Sequence, residues 1–219
     1  MASGLNVNPY TTTQASGLFA TDSSGYVQGL ALLDPATRYA LATGYVDEGE
    51  TQPLWGGIAV SEQVSLLPGA PGRRGQALKR ATSAAEITGF SAFNQSHHLA
   101  TTPNSTAPQA GPGNSLGFFR LGSGVRLPVL ADPALLNLAG KDIAASLSWD
   151  MDKQRLTANS GASAQGEASA SSSTTLPVKL LEIVQNNGLA ASYDATSGNL
   201  SWVRLPDSAT GSILALIQL

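Results

Sequence analysis

Apolar residues in this chain come in short runs, each cut off by a turn of Gly, Pro, Asn or Asp. That punctuation limits the fold more than any other feature, because a helix with a buried face needs its apolar stripe to continue for about 10–12 residues. "PLWGGIAVSEQVSLL" (53–67) sets Leu54, Ile58, Val60 and Val64 at even positions, and its Gly pair predicts a bulge or a close backbone approach. "EITGFSAF" (86–93) alternates in the same way. "SLGFFRLGSGVRLPVL" (115–130) reads as two strands folded into a hairpin at Gly122-Ser123-Gly124. "SWDMDKQRL" (148–156) and "SYDATSGNL" (192–200) share Ser, an aromatic, Asp, a short polar turn and Leu, so each predicts a small hairpin. "LPVKLLEIV" (176–184), "NLSWVRL" (199–205) and "SILALIQL" (212–219) add strands, the last tying the end of the chain into a sheet.

The expected fold class is all-β, an antiparallel β-sandwich or β-barrel with at most one or two short helices. The helix candidate is "DPATRYALA" (34–42), with Asp34 as N-cap, Pro35 at the first helical position and Gly44 as its stop. Residues 1–24 are polar and without periodicity, which predicts an extended N-terminal arm ahead of one β-rich domain spanning 25–219. "GAPGRRGQALKR" (69–80) reads as a turn-rich basic loop, and the Ser/Ala/Gly tract at 159–175 as an exposed, mobile one.

Composition narrows the function. Charged residues are 12% of the 219, against about a quarter in ordinary globular chains, while hydrophobic residues keep a normal 42%. Disorder needs the reverse balance. A low-charge surface of small residues suits close packing against partners, because charge is depleted at interface cores. The net charge of −3 supplies no positive field for phosphate backbones, so nucleic acid is not an expected partner. With no cysteine there is no disulfide framework and no thiolate chemistry. The opening residues lack the basic start and apolar run of a signal peptide, and no stretch has the length of a membrane helix. A soluble, unexported chain is the expectation, with no membrane partner.

The candidate chemistry is sparse. Both histidines, His97 and His98, stand side by side, and neighbours on a strand point to opposite faces. Zinc usually takes three or four protein ligands, so the pair reads as the opening of a Pro-rich loop and no metal site is expected. Asp150 and Asp152 lack the Gly and distal Glu of a calcium loop and read as turn residues, although paired acids for glycoside hydrolysis meet only in a fold. "GFSAF" is not a nucleophile elbow, since Phe93 replaces the second Gly, and "RLGSGVR" joins strands instead of opening a helix. Arg73, Arg74, Lys79 and Arg80 form the one basic patch, a solvated loop or a contact for a partner's acidic groups or a phosphate. Trp55, Trp149 and Trp202 occupy strand-like contexts and are expected in the core. The residues themselves offer no catalytic set and no cofactor motif.

Several stretches, taken in order, resemble the capsid decoration or cement proteins of tailed bacteriophages. They are "NVNPY" (6–10), "GYVQGLALLDPATRYALATG" (25–44), "PLWGGIAVSE" (53–62), "FNQSHH" (93–98), "FFRLGSGVRLPV" (118–129), "SWDMDKQRL" and "ILALIQL". The resemblance implies a non-enzymatic virion protein, assembled in the host cytoplasm, that binds the outer capsid surface and bridges major capsid subunits. Its partners would be the major capsid protein and further copies of itself, and no cofactor is implied. Asn8, Pro9 and Tyr10 in the arm, with Arg73, Arg74, Lys79 and Arg80, are the interface candidates. The alternative is a tail or fibre component with a carbohydrate- or receptor-binding role.

Overall fold

The computed structural model describes residues 26–32, 35–65, 75–93, 105–159, 175–185, 188–205 and 211–219. Its strands are β1 (Tyr26–Val27), β2 (Leu41–Val46), β3 (Ala59–Gln63), β4 (Ala77–Arg80), β5 (Gly89–Ser91), β6 (Ser115–Arg120), β7 (Arg126–Ala131), β8 (Leu147–Asp150), β9 (Arg155–Ala158), β10 (Lys179–Val184), β11 (Gly188–Asp194), β12 (Asn199–Leu205) and β13 (Ile213–Gln218). Helical structure among the described residues amounts to α1 (Pro35–Ala40) and two 3-10 turns, Ala84–Glu86 and Pro133–Leu138. The fold is therefore all-β.

The strands make three sheets. A closed barrel runs β2-β4-β3-β5-β6, a five-stranded sheet runs β10-β13-β7-β9-β8, and a small sheet runs β1-β11-β12. Most pairs are antiparallel, but β1 with β11, β2 with β4, and β7 with β9 are parallel. The barrel and the five-stranded sheet share a core. Phe90 and Phe119 from the barrel lie in one buried cluster with Val129, Leu156, Ile213, Ala215 and Ile217 from the sheet. Phe90 presents its ring to Trp149 edge-on, with centroids 4.9 Å apart at 67°. A second cluster inside the barrel joins Leu54, Ile58, Leu78 and Phe118 to Leu189 and Leu200 of the small sheet.

β13 sits in the middle of the five-stranded sheet, between β10 and β7, and five of its six residues are buried. Ile213, Ala215 and Ile217 face the main cluster, while Leu214 faces a smaller one with Val184, Ala190 and Leu205. A strand buried on both faces reads as a continuous apolar run, which is why "ILALI" shows no alternation.

Several expectations are corrected. The two strands of 115–130 do not form a hairpin: β6 pairs with β2 and β5, whereas β7 pairs with β13 and β9. Gly122 and Gly124 turn the chain at φ +81° and +74°, as a tight reversal requires. The C-terminal residue then holds the strands apart: Gly124 N–H donates to Leu219 O at 2.8 Å, and Leu219 N–H donates to Val125 O at 2.9 Å. Gly44 does not stop a helix, because strand β2 already begins at Leu41. A Cβ at Gly44 would stand 2.7 Å from Gln76 O, so its glycine serves the close passage of β2 beside β4. Residues 77–80, expected in a loop, form β4. Val64 breaks the alternation of its segment and is fully exposed, since β3 ends at Gln63. Asp34, the N-terminal arm and residues 160–174 of the Ser/Ala/Gly tract lie outside the described residues.

The Gly56–Gly57 pair does mark a close backbone approach. Gly29 crosses it so tightly that an added Cβ would lie 2.4 Å from the Gly56 backbone. Gly29 N–H donates to Pro128 O at 2.8 Å and its carbonyl accepts from Phe93 N–H at 2.6 Å, so this crossing ties the small sheet, the barrel and β7 together.

Both short hairpins form as read, with Asp at the start of each turn. β8 pairs with β9, and Asp150 Oδ1 accepts the N–H groups of Asp152 and Lys153, each at 3.0 Å. β11 pairs with β12, and Asp194 accepts from Thr196 N–H at 2.9 Å and from the Ser197 hydroxyl at 2.6 Å. The Ser197 bond, with the Thr196 amide second, holds the Asp194 carboxyl below its ordinary value. A carboxylate with a lowered folded value stabilises above the unfolded pKa, and the effect is lost as pH falls through the folded value. Asp194→Asn is therefore expected to melt below the parent at pH 7, with the gap closing under about pH 4. Melting curves across that range test it, and a gap that stays constant with pH would remove the charge from the explanation.

Candidate functional site

Strand alternation divides the basic patch. Arg73 and Arg74, like Asn8, Pro9, Tyr10, His97 and His98, lie outside the described residues. Lys79 and Arg80 are neighbours on β4 and point to opposite faces. Lys79 Nζ pairs at the surface with Asp47 Oδ1 at 3.6 Å. Arg80 turns inward on the side of Leu78, a fully buried residue of the barrel cluster.

Local structure fixes Arg80 closely. Its backbone N–H donates to Glu50 Oε1 at 3.0 Å, and its Nη2 donates to Pro53 O at 3.0 Å. The guanidinium carbon lies 5.0 Å from the centroid of the Trp55 ring, within range of a cation–π contact. Trp55 in turn stacks on Tyr193 of β11, with centroids 5.7 Å apart and planes at 26°. Burial lowers the affinity of the Arg80 guanidinium for its proton, and the Glu50 charge opposes this in part. The Arg80 Nε is buried without a hydrogen-bond partner, as is the Trp55 Nε1. No carboxylate of the described residues forms an ion pair with this side chain.

Arg80 lines a cleft of about 400 Å³ where the barrel, the β8–β9 turn and the small sheet meet. Most other polar groups in its wall are already engaged. Gln154, at φ +48°, accepts from Ala59 N–H and Trp149 Nε1 at 3.3 Å each, and donates to Met151 O at 2.8 Å. Gln28 accepts from Ala191 N–H at 3.1 Å. Arg155 pairs with Asp132 at 2.6 Å and with Asp150 at 3.9 Å. Asp152 and Lys153 lie exposed on the turn at the cleft's rim. Asp150 serves the turn and Arg155, while Asp152 lines the cleft.

Of the residues singled out in the sequence, the cleft gathers Arg80, Trp55 and Asp152. Tyr193, Gln28 and Gln154 were missed. The only signal for Tyr193 was its place ahead of the Asp in the second hairpin, and a glutamine that closes a turn at positive φ leaves no sequence mark.

A second concavity, of about 450 Å³, follows the margin of the five-stranded sheet. Tyr26, Leu136, Ala139 and residues 182–185 line it. β10 is the outermost strand there, and Tyr26 donates its hydroxyl to Glu182 Oε2 at 2.8 Å. Leu180 N–H reaches Ile143 O at 3.2 Å, and no further strand pairs with β10 among the described residues. No family model, curated protein or solved structure matches the chain.

Proposed function

We propose that this chain is a structural virion protein, a cement that binds the outer surface of a bacteriophage capsid and stabilises contacts between major capsid subunits. The observation that carries the reading is the β10 edge with its concavity. Tyr26 of β1 lines that concavity beside the outermost strand β10. An open edge is suited to strand addition, in which main-chain hydrogen bonds attach one chain to another. The stretches that carry the likeness to cement proteins also pack on one another. Gly29 of "GYVQGL" crosses Gly56–Gly57 of "PLWGGIAVSE", and its neighbour in space Pro128 belongs to "FFRLGSGVRLPV". Repetition over a symmetric shell would convert modest single contacts into firm attachment. The reading is of a non-enzymatic protein without a cofactor. The second reading, a carbohydrate-binding tail module, draws no support from Trp55 and Trp149, which are 7% and 5% exposed; Trp202, expected in the core, is only partly buried and packs against the barrel cluster.

Co-sedimentation with capsid shells stripped of accessory proteins tests the proposal. The full chain is expected to bind saturably and to raise the melting temperature of the shells, and deletion of residues 1–24 to abolish both effects. Failure of the full chain to bind shells would overturn the cement reading, and binding to a glycan array would then favour the tail module.

A further inference from the structure

We infer that the β10 edge is the floor of a two-walled slot for an extended segment of a protein partner, in which a basic side chain meets Glu182 and the flanking side chains are aliphatic. The use of β10 for attachment rests on the cement reading; the side-chain preference of the slot does not. The main chain sets where the segment can pair. Leu219 N–H donates to Val125 O and its carbonyl accepts from Gly124 N–H, so the odd-numbered residues of β13 turn their main-chain groups toward β7. Ala215 is one of them, and Ile183 stands opposite it on β10. The Ile183 N–H and C=O therefore point away from β13, into the open edge. Leu180 N–H points the same way but already donates to Ile143 O at 3.2 Å. The register shifts between Leu180 and Glu182, which leaves Leu181 as an extra residue in the edge. An added strand pairs at Ile183 and stops short of Leu180.

The two sides of this edge differ. Glu182 stands opposite Leu216 and Val184 opposite Leu214, so both lie on the face where Tyr26 packs on the Val184–Leu214 cluster. Glu182 is exposed there, and the Tyr26 hydroxyl holds one of its carboxylate oxygens at 2.8 Å. Ile183 lies on the other face, where it and Leu136 pack against the main core. Ala139 extends that apolar side, and both walls open on the one concavity. Successive side chains of an added strand project to opposite faces. Those on the Tyr26 side meet a carboxylate held in place, which favours Lys or Arg. Those on the Leu136 side meet aliphatic carbon, which favours Val or Ile. A second copy of β10 would bring another Glu182 to the same wall, and like charges across a strand pair are unfavourable. The occupant is accordingly a different chain, with basic and aliphatic residues in alternation.

The test uses the full chain in solution without shells. A blocked Thr-Val-Lys-Val-Thr peptide is titrated in while the Ile183 amide signal is followed by NMR. Two controls run beside it, Thr-Val-Glu-Val-Thr and the lysine peptide methylated on both valine nitrogens. A saturable shift at millimolar lysine peptide is expected, with binding of the glutamate peptide about fivefold weaker. The methylated peptide, which keeps the side chains and loses the main-chain donors, should give no saturable shift. Glu182→Lys, a change at an exposed position, should reverse the order of the two charged peptides. No saturable shift at Ile183, or a full response to the methylated peptide, overturns the slot. Equal binding of the lysine and glutamate peptides, or an order that Glu182→Lys leaves unreversed, overturns its charge preference. A charge-selective peptide response in a chain that fails to bind shells would count against the cement reading alone.

Discussion

Replacing Gly29 by alanine is expected to lower stability by about 3 kcal/mol, the sum of overpacking and a left-handed backbone. The new Cβ would lie 2.4 Å from the Gly56 carbonyl carbon and Cα, and 2.5 Å from Gly57 N. All three are backbone atoms, so no side chain can swing aside. The residue also sits at φ +77°, where a Cβ is itself unfavourable. Gly122 supplies the control. It has φ +81° with nothing within 4 Å of an added Cβ, so Gly122→Ala should show the backbone effect alone, about 1 kcal/mol. Urea midpoints at unchanged slope separate the two variants. Equal losses would mean that the crossing of Gly29 over Gly56–Gly57 is not the tight point of the fold.

The second large effect belongs to Phe90. Its side chain is fully buried where barrel strand β5 meets the five-stranded sheet, and Phe90→Ala is expected to cost about 3–5 kcal/mol. That is a large share of the roughly 5–15 kcal/mol that holds a typical domain folded. Part of it should belong specifically to Trp149. A double-mutant cycle with Trp149→Leu is expected to give a coupling of about 0.5–1.5 kcal/mol, as edge-to-face pairs do. A coupling indistinguishable from zero would reduce Phe90 to a space-filling residue.

How far these features were legible depends on the range of the interaction that sets each one. The β12 strand Asn199–Leu205 coincides with its apolar segment, and the hairpins at 148–156 and 192–200 form as read, because an Asp that accepts N–H groups two and three residues ahead is a local device. The Gly56–Gly57 pair announced a close approach, yet nothing in the sequence identified Gly29 as its counterpart. The hairpin expected at 115–130 is the instructive error. A Gly-Ser-Gly turn specifies a reversal of the chain, but the partner of each arm is decided by strands 70 or more residues away, here β2 for β6 and β13 for β7. The cleft follows the same logic. Arg80 stood out as part of a basic run, and its inward turn depends on the parity of β4, which appears only once Ala77–Arg80 is a strand instead of a loop. Trp55 was rightly expected in the core, while its stack with Tyr193 joins residues 138 positions apart.

The central position of β13 fixes an order of events during synthesis. All five strands of the barrel are contained in residues 41–120, so they are available to close before the remaining hundred or so residues exist. The five-stranded sheet has no middle until residues 213–218 emerge. At a translation rate of about 5–20 residues per second, the interval between the end of β6 and the arrival of β13 is about 5–20 s. From its own synthesis until β13 arrives, each of β7 and β10 presents an edge that only β13 covers in the finished molecule. A ribosome that stalls between residues 184 and 213 would leave a chain with a closable barrel and two unpaired edges, a configuration prone to join with other nascent copies.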